Sequence, residues 1–458
     1  NINKFIDKVD DQSWKEFMPK GVTKELFKEF SKYYDQDVFI EAGKIIRNRV
    51  KALDDSDPIE RTRQLAMIFG TFRNPDKETV LTPWRVVNMH LGKTIGGYSF
   101  YDNNYKNTTI DGVDAAHWIH NDYTEKIFNR NAHVLEINSK TGLYPLYVAT
   151  SRYYQEYEKQ RQATAGNVSL ENKRMIWQQI LRENIFCVAK TPMAKAIAKR
   201  TLIGYQDYDV NIEFINDIVE DAKQDVEKKA NKIKEVFGNL KFDVVIGNPP
   251  YQDETHGDQD NYSAPVYNEF MDLSYKLSNL VTLITPGRFL FGAGSTPKAW
   301  TTKMLNNNHF CVVKYEQVSS RIFPKTDIKG GIVISLYDTQ KDFGSIADNF
   351  SPAGIFIAYR PLINIMKKVT ARNFRSFSDL IYGRNIYRFT DDMHHDHPNI
   401  INKLSKGHAY DLSSNVFKRV PELFLSKKPN DNKDKYLGIL GRDNNQRVIK
   451  YIDKRYIK

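Results

Sequence analysis

A four-residue motif, Asn248-Pro249-Pro250-Tyr251, carries residue types that could hold a planar amine. Two consecutive prolines fix two φ angles at about −65° and remove two backbone donors, so they predict a rigid turn whose carbonyls face outward. The Asn248 side-chain oxygen and the Pro249 carbonyl could each accept one hydrogen of an exocyclic NH2 group. Tyr251 could stack on the ring that carries the amine. The motif therefore indicates chemistry at the nitrogen of an aromatic amine.

The elements around this motif are those of an α/β protein. The apolar run from Phe242 to Gly247 predicts a buried strand that ends directly at the motif. Short β-branched runs alternate with longer amphipathic stretches over residues 79–345, which predicts a parallel α/β sheet. In open sheets of this kind, ligands bind beyond the carboxyl ends of the strands. Residues 1–78 have apolar residues at helical spacing, and residues 346–458 are irregular and basic. We therefore expect three regions with these boundaries.

Composition excludes several classes of protein. Of the 458 residues, 41% are hydrophobic and 27% are charged, which is typical of a globular protein. No run reaches the roughly 18 apolar residues that a membrane-spanning helix requires, so a membrane protein is excluded. Cys187 and Cys311 are too few for a disulfide scaffold or a structural zinc site, and no metal site is expected. These features favour a cytoplasmic location. The first residues, which lack an initiating Met, indicate a piece of a longer polypeptide.

The positive charge is concentrated near the carboxyl end. Residues 351–458 contain 21 Lys and Arg against 10 Asp and Glu, whereas the first 350 residues contain 46 of each. A localised cationic surface attracts a polyanion, so we expect contacts to DNA phosphates here. The best candidates for reading base edges are Arg442, Asn444, Asn445, Gln446 and Arg447. A basic surface kept for solubility, with a polar hairpin turn at these residues, is the alternative.

The motif and its place in the chain resemble the γ-class amino-methyltransferases that act on adenine N6 in DNA, specifically those built into restriction-modification enzymes. The resemblance implies a Rossmann-like sheet and a methyl transfer from S-adenosylmethionine to an adenine flipped out of double-stranded DNA. In that family Asn248 and Pro249 would hold N6, and Tyr251 would stack on the base. The order of segments, with the cofactor half first, the catalytic motif next and a recognition region last, is that of the γ class.

The same resemblance implies the residues that bind the cofactor. Thr82 and Pro83 match a Thr-Pro segment that precedes the sheet and packs beside the cofactor. Glu136 holds the position of the acid that ends the first strand, and Gly142 keeps the second glycine of the turn that follows it.

The cofactor half also departs from the family pattern. Lys140 replaces the first glycine of the turn, and Ala189 and Lys190 stand where the second strand would end in an acid that grips the ribose hydroxyls. Asp217 is the best remaining acid for the adenine edge of the cofactor, although it could equally be a solvated acid at a helix start.

These departures leave alternatives open. We interpret the chain as the methyltransferase portion of a larger restriction-modification polypeptide, with the start of its target-recognition region. A catalytically silent methyltransferase fold that recognises DNA is the second hypothesis. Methylation of RNA or of a protein glutamine is the third, and the basic extension of 108 residues argues against a small protein substrate.

Overall fold

The computed structural model divides the chain into two compact units, residues 1–366 and 367–458. It describes residues 2–19, 21–74, 80–216, 218, 225–252, 264–347, 356–358, 360–371, 374–375, 377–381, 386–404, 407–413, 415–431, 433–444 and 446–458. The expected boundaries after residues 78 and 345 stay predictions.

The first part of the chain is helical. Its helices are α1 (Ile2–Lys8), α2 (Asp11–Phe17), α3 (Lys24–Phe30), α4 (Gln36–Ala52) and α5 (Pro58–Thr71). Carboxylate or hydroxyl side chains cap most of them: Asp10, Thr23, Asp35 and Asp57 each accept a hydrogen bond from a backbone N–H of the first turn. Helices therefore occupy the stretch in which apolar spacing predicts them.

Seven strands among the described residues form one sheet. They are β5 (Val134–Ser139), β6 (Ile185–Ala189), β7 (Asn211–Phe214), β8 (Val244–Gly247), β9 (Leu280–Pro286), β10 (Phe310–Glu316) and β11 (Ile332–Asp338). Their order in the sheet is β10-β11-β9-β8-β5-β6-β7. Strands β5 to β9 run parallel, while β11 is antiparallel to both β9 and β10. This mainly parallel sheet confirms the predicted α/β, Rossmann-like class.

Helices connect and cover the strands of this sheet. They are α6 (Trp84–Thr94), α7 (Thr124–Ile127), α8 (Leu143–Ala163), α9 (Leu170–Glu183), α10 (Pro192–Ile203), α11 (Val226–Val236), α12 (Tyr267–Leu277) and α13 (Lys298–Leu305). Two small antiparallel pairs, β1 (Gly97–Ser99) with β4 (His117–Ile119) and β2 (Thr109–Ile110) with β3 (Val113–Asp114), lie between α6 and β5. Buried side chains pack against the sheet in two main clusters, one containing Leu146 and Val244, the other Val245 and Phe270.

The second unit has its own small core around a hairpin. Helix α14 (Arg360–Thr370) contains residues of both units, and within the second unit α15 (Asp391–Asp396) and α16 (Val416–Arg419) precede strands β12 (Tyr436–Asp443) and β13 (Gln446–Asp453). Buried residues Phe389, Met393, Phe417, Phe424 and Ile452 belong to that core. Among the described helices of the whole chain, none combines the length and apolar content that crossing a membrane requires.

Candidate functional site

The site lies where the strand order of the sheet reverses direction. From β5 the chain proceeds outward through β6 and β7, then returns to the other side of β5 as β8. Ligands bind at such a switch point, beyond the carboxyl ends of the strands. Strand β8 ends there at Gly247, whose φ is +148° and whose absent Cβ would lie 2.7 Å from the Ile137 carbonyl oxygen of β5. Gly247 is therefore required by both conformation and space.

Asn248, which directly follows this glycine, is held through both its side chain and its backbone. Its Nδ2 donates to Thr82 Oγ1 at 3.0 Å, and its backbone oxygen accepts from Asn138 Nδ2 at 3.1 Å. Its Oδ1 is buried and has no hydrogen-bond partner among the described residues. Because Thr82 holds the nitrogen, the buried oxygen is left as an acceptor for a ligand donor.

The rest of the motif is buried in whole or in part. Pro249 and Pro250 are buried, and Tyr251 is half-buried with its hydroxyl buried. The Tyr251 ring contacts the apolar cluster that contains Val86 and Ile284. Burial raises the pKa of Tyr251. The nearby Asn248 side chain lowers this pKa by less than burial raises it, so the phenol stays neutral.

A buried polar chain, which the sequence analysis missed, lies behind the motif. Tyr144 contacts His90 Nδ1 and Thr282 contacts His90 Nε2, each at 2.8 Å. The Thr282 hydroxyl donates to the Ser335 carbonyl, so it accepts from Nε2–H, and Tyr144 donates to Nδ1. Burial lowers the pKa of His90 to about 3, which keeps the ring neutral. These hydrogen bonds thus fix the position of the Tyr144 hydroxyl. The pKa of Tyr144 is raised by burial and by the neighbouring Tyr251 and Glu136.

Glu136 lies in the middle of β5, because that strand continues for three more residues to Ser139. In register, it is opposite Cys187 of β6 and Ile246 of β8. Burial raises the pKa of Glu136 to about 8, against the effect of the Ser139 hydroxyl. Its Oε2 is buried without a partner among the described residues. Glu136 is therefore a protonated acid at neutral pH.

Three other residues of the predicted cofactor half have structural contacts of their own. Thr82 contacts Asn248, as described above, and Pro83 precedes α6 with its carbonyl accepting from the first turn. Gly142 precedes α8 with φ +73°, and a Cβ on it would lie 2.9 Å from Ala198 Cα of α10. Glycine is thus needed here for the approach of α10. Asp217 lies outside the described residues.

The two lysines that depart from the family pattern meet a carboxylate from the N-terminal helices. Glu16 of α2 is 1% exposed, and its carboxylate contacts Lys140 at 2.6 Å and also forms an ion pair with Lys190. Burial would raise the pKa of Glu16, but the two lysines lower it, so the carboxylate is ionised.

Helix α2 is also fixed to the start of α10. Thr191 caps α10 and Pro192 is its first residue, and the next backbone N–H, of Met193, donates to Ser13 Oγ at 3.0 Å. Because Lys140 follows β5 and Lys190 follows β6, α2 covers the carboxyl ends of both strands. We call Glu16, Lys140 and Lys190 the ion triad.

These residues fit S-adenosylmethionine in part. The unpaired, buried oxygen of Glu136 could meet a donor group of the cofactor. A free strand-end carboxylate for two ribose hydroxyls is not found at Ala189 or Lys190, and the carboxylate that lies nearest to Lys190 is already paired with lysines.

In the second unit, the predicted base-reading residues lie at one end of the hairpin. Arg442 is opposite Arg447, and Asp443 is opposite Gln446. Asn444 adopts φ +47° in the turn. The hairpin turn suggested by the sequence is thus present, and it brings Arg442, Asn444, Gln446 and Arg447 together; Asn445 lies outside the described residues.

Comparison with known proteins adds a family. Residues 183–323, which include the Asn248 motif, match the model of the Eco57I restriction-modification methylase. A protein of Mycoplasma pneumoniae named "Uncharacterized adenine-specific methylase" is 32% identical over 104 residues, which cover 22% of this chain and 25% of that relative.

Two solved structures are similar at low identity. The ATP-dependent Type ISP restriction-modification enzyme LlaBIII bound to DNA is 11% identical, with a TM-score of 0.39, over 100% of this chain and 38% of LlaBIII. A nuclease-deletion mutant of the Type ISP enzyme LlaGI with a DNA substrate mimic is 10% identical, with a TM-score of 0.39, over 99% of this chain and 47% of LlaGI. The chain spans less than half the length of either enzyme and about a quarter of the Mycoplasma relative. Residues 183–323 are thus similar to the Eco57I restriction-modification methylase, which is the kind of enzyme that the Asn-Pro-Pro-Tyr motif also resembles.

Proposed function

We propose that the chain is the methyltransferase part of a larger restriction-modification enzyme and that it methylates N6 of adenine in a specific sequence of double-stranded DNA. S-adenosylmethionine would supply the activated methyl group. The adenine would be flipped out of the duplex, because N6 of a stacked base pair cannot be approached in line with that group. A cytoplasmic location and partner domains in the same polypeptide belong to this proposal.

The observation that carries the proposal is the unpaired oxygen of Asn248. Thr82 holds the amide nitrogen at 3.0 Å, and Oδ1 is buried with no partner among the described residues. Leaving a buried acceptor without a donor costs about 1–3 kcal/mol. A ligand that brings an N–H group to this oxygen removes the cost, and the exocyclic amine of adenine has two such hydrogens.

The motif residues then act by orientation and hydrogen bonding. Asn248 Oδ1 and the Pro249 carbonyl each accept one N6 hydrogen, which draws N6 towards a tetrahedral, nucleophilic form. Tyr251 stacks on the base and holds it at the site. Because the methyl group is already activated, this positioning supplies most of the rate enhancement.

The ion triad favours a second candidate function, a silent fold that binds DNA without transferring methyl groups. Glu16 is buried between Lys140 and Lys190 over the end of the sheet at which the family binds its cofactor. A chain whose cofactor end is closed in this way would still recognise DNA through its basic hairpin.

Radiolabelled methyl transfer to plasmid DNA, followed by nucleoside analysis, tests the first proposal. We expect the label in N6-methyladenine. Absence of label, together with no heat of binding at millimolar S-adenosylmethionine and retained sequence-specific DNA binding, would replace the first proposal with the second. Label in RNA or protein, with none in DNA, would contradict both.

A further inference from the structure

The β12–β13 hairpin has an inner and an outer face. Alternate residues of a strand share one face. Ile439, Val448 and Ile452 pack against the core of the second unit, so they define the inner face. Gly441 belongs to the same face, since its absent Cβ would lie 2.6 Å from the Phe417 ring. The residues between these positions form the outer face.

The outer face presents an apolar pair beside a cationic pair. Leu440 is directly opposite Ile449, and these side chains are 66% and 55% exposed. Arg442 is directly opposite Arg447 one step nearer the turn, and both are exposed. The same surface therefore combines two large apolar side chains with two guanidinium groups.

This arrangement is unfavourable for the isolated hairpin. Like charges directly opposite each other in an antiparallel pair are destabilising. No carboxylate among the described residues forms an ion pair with Arg442 or Arg447, whereas Lys450 on the inner face contacts Asp443 at 2.6 Å. An anionic partner would relieve the repulsion, and residues 367–458 hold 20 Lys and Arg against 10 Asp and Glu.

The shape of the hairpin selects the kind of contact. A two-stranded ribbon fits the major groove of DNA. The apolar pair lies on the flat face rather than at the turn, which carries the polar Asn444, so it is not placed to wedge between base steps. In the major groove the apolar group available on a base edge is the thymine methyl, and arginine can bind guanine O6 and N7.

We propose that the outer face of this hairpin enters the major groove and that Leu440 and Ile449 contact thymine methyl groups, with Arg442 and Arg447 on neighbouring guanines or phosphates. The inference rests on the proposed function, since it takes double-stranded DNA as the partner. It adds that the recognised sequence contains thymine at one or two required positions.

Binding to DNA with and without the methyl group tests this contact. The full chain first selects a duplex from a random pool, and the selected duplex is then made with uracil in place of each thymine in turn. Uracil forms the same base pair as thymine and differs from it only in lacking the methyl group. We expect affinity, measured by fluorescence anisotropy, to fall about fourfold at one or two positions, which corresponds to one buried methyl group.

The matching protein variants are Leu440→Ala and Ile449→Ala. Both side chains are exposed, so neither change should prevent folding. Each variant should lose affinity for the thymine duplex and should no longer distinguish thymine from uracil at its own position, as a double-mutant cycle would show. Val113→Ala, which removes a side chain that is 68% exposed on β3, is the control and should keep full discrimination.

Several results would overturn the inference. They are a wild-type chain that selects no sequence, a selected duplex whose affinity is insensitive to uracil at every position, and variants that discriminate as the wild type does. The last result would assign the apolar pair to a protein partner instead. If the wild-type chain transferred no methyl group to DNA but still distinguished thymine from uracil, the proposed function would be contradicted and this inference would still hold.

Discussion

The ends of β8 and of β5 and β6 lie at the same edge of one sheet, yet they are built differently. After β8, a rigid turn holds an amide oxygen that is buried without a hydrogen-bond partner among the described residues. After β5 and β6, charged side chains pair with one another beneath α2. We call the first region, at which we propose that the base binds, the catalytic corner, and the second, at which the family resemblance implies the cofactor, the cofactor end.

The difference teaches where unsatisfied polar groups are tolerated. Burying an unpaired acceptor is costly, so one that persists at a switch point is a candidate binding group. At the ends of β5 and β6, the two Glu16 oxygens are also buried without a hydrogen-bond partner among the described residues, but their charge is balanced by Lys140 and Lys190. The two regions therefore differ in charge pairing: the amide oxygen after β8 has no partner of either kind among the described residues, whereas the Glu16 carboxylate already has two cationic partners.

Removing the catalytic amide should produce the largest effect. Asn248→Ala deletes the acceptor for N6, and we expect methyl transfer to fall by about 10³-fold, the loss seen when one preorganised hydrogen-bonding group is removed. DNA binding, measured by anisotropy, should stay close to that of the wild type, because the basic hairpin is unchanged. Unchanged methylation would remove Asn248 from its proposed role.

Removing the carboxylate of the ion triad should mainly affect stability. Glu16→Ala leaves Lys140 and Lys190 without their shared partner, and we expect the free energy of unfolding to fall by about 3 kcal/mol. Urea denaturation measures it. Asp11→Ala is the matched control, because Asp11 lies on the same helix and pairs with Lys24 at 2.6 Å but is exposed. Equal decreases in the free energy of unfolding of the two variants would show that the buried ion triad contributes no more to stability than the exposed ion pair of Asp11.

Calorimetry of the same variant sharpens the comparison. If the triad closes the cofactor end, Glu16→Ala should bind S-adenosylmethionine more tightly than the wild type does. A weaker affinity would mean instead that Glu16 is itself a ligand of the cofactor, and the cofactor end would then be a site of a different design.

Variants of Thr82 test whether this residue acts at the catalytic corner or at the cofactor end. Thr82→Val keeps the shape of the side chain but loses the acceptor for Asn248 Nδ2, so we expect kcat to fall about tenfold, as the loss of one hydrogen bond predicts. Thr82→Ser keeps the hydroxyl and should restore the rate. A raised dissociation constant for S-adenosylmethionine with kcat unchanged would place Thr82 at the cofactor end instead, as the family resemblance implies.

The pH dependence of stability tests Glu136. Burial raises its pKa from 4.5 to about 8, so the folded chain holds a proton that the unfolded chain releases. Its contribution to stability is therefore present below about pH 4.5 and is lost as the pH rises to about 8. The stability of the wild type minus that of Glu136→Gln should fall between pH 5 and 8. A flat difference would mean that Glu136 is ionised in the fold.

The sequence was sufficient for the features that depend on neighbouring residues. The strand that ends at Asn248 and the cap and proline that begin α10 follow from local patterns, and both are found. The contact of Thr82 with Asn248 and the pairing of Glu16 with the two lysines could not be derived in this way, because each contact joins residues that are more than a hundred positions apart. His90 gave no signal either, since a buried histidine on an apolar helix resembles many core residues.

The hydrogen bond between Thr82 and Asn248 joins residues that are 166 positions apart, and the four strands β5 to β8 of the sheet lie between them in the chain. The contact that orients the Asn248 side chain therefore forms only when these strands have assembled and the segment before α6 has reached the tip of β8. If the chain acts as we propose, a molecule whose sheet is not yet assembled would carry the motif without the orientation that methyl transfer requires.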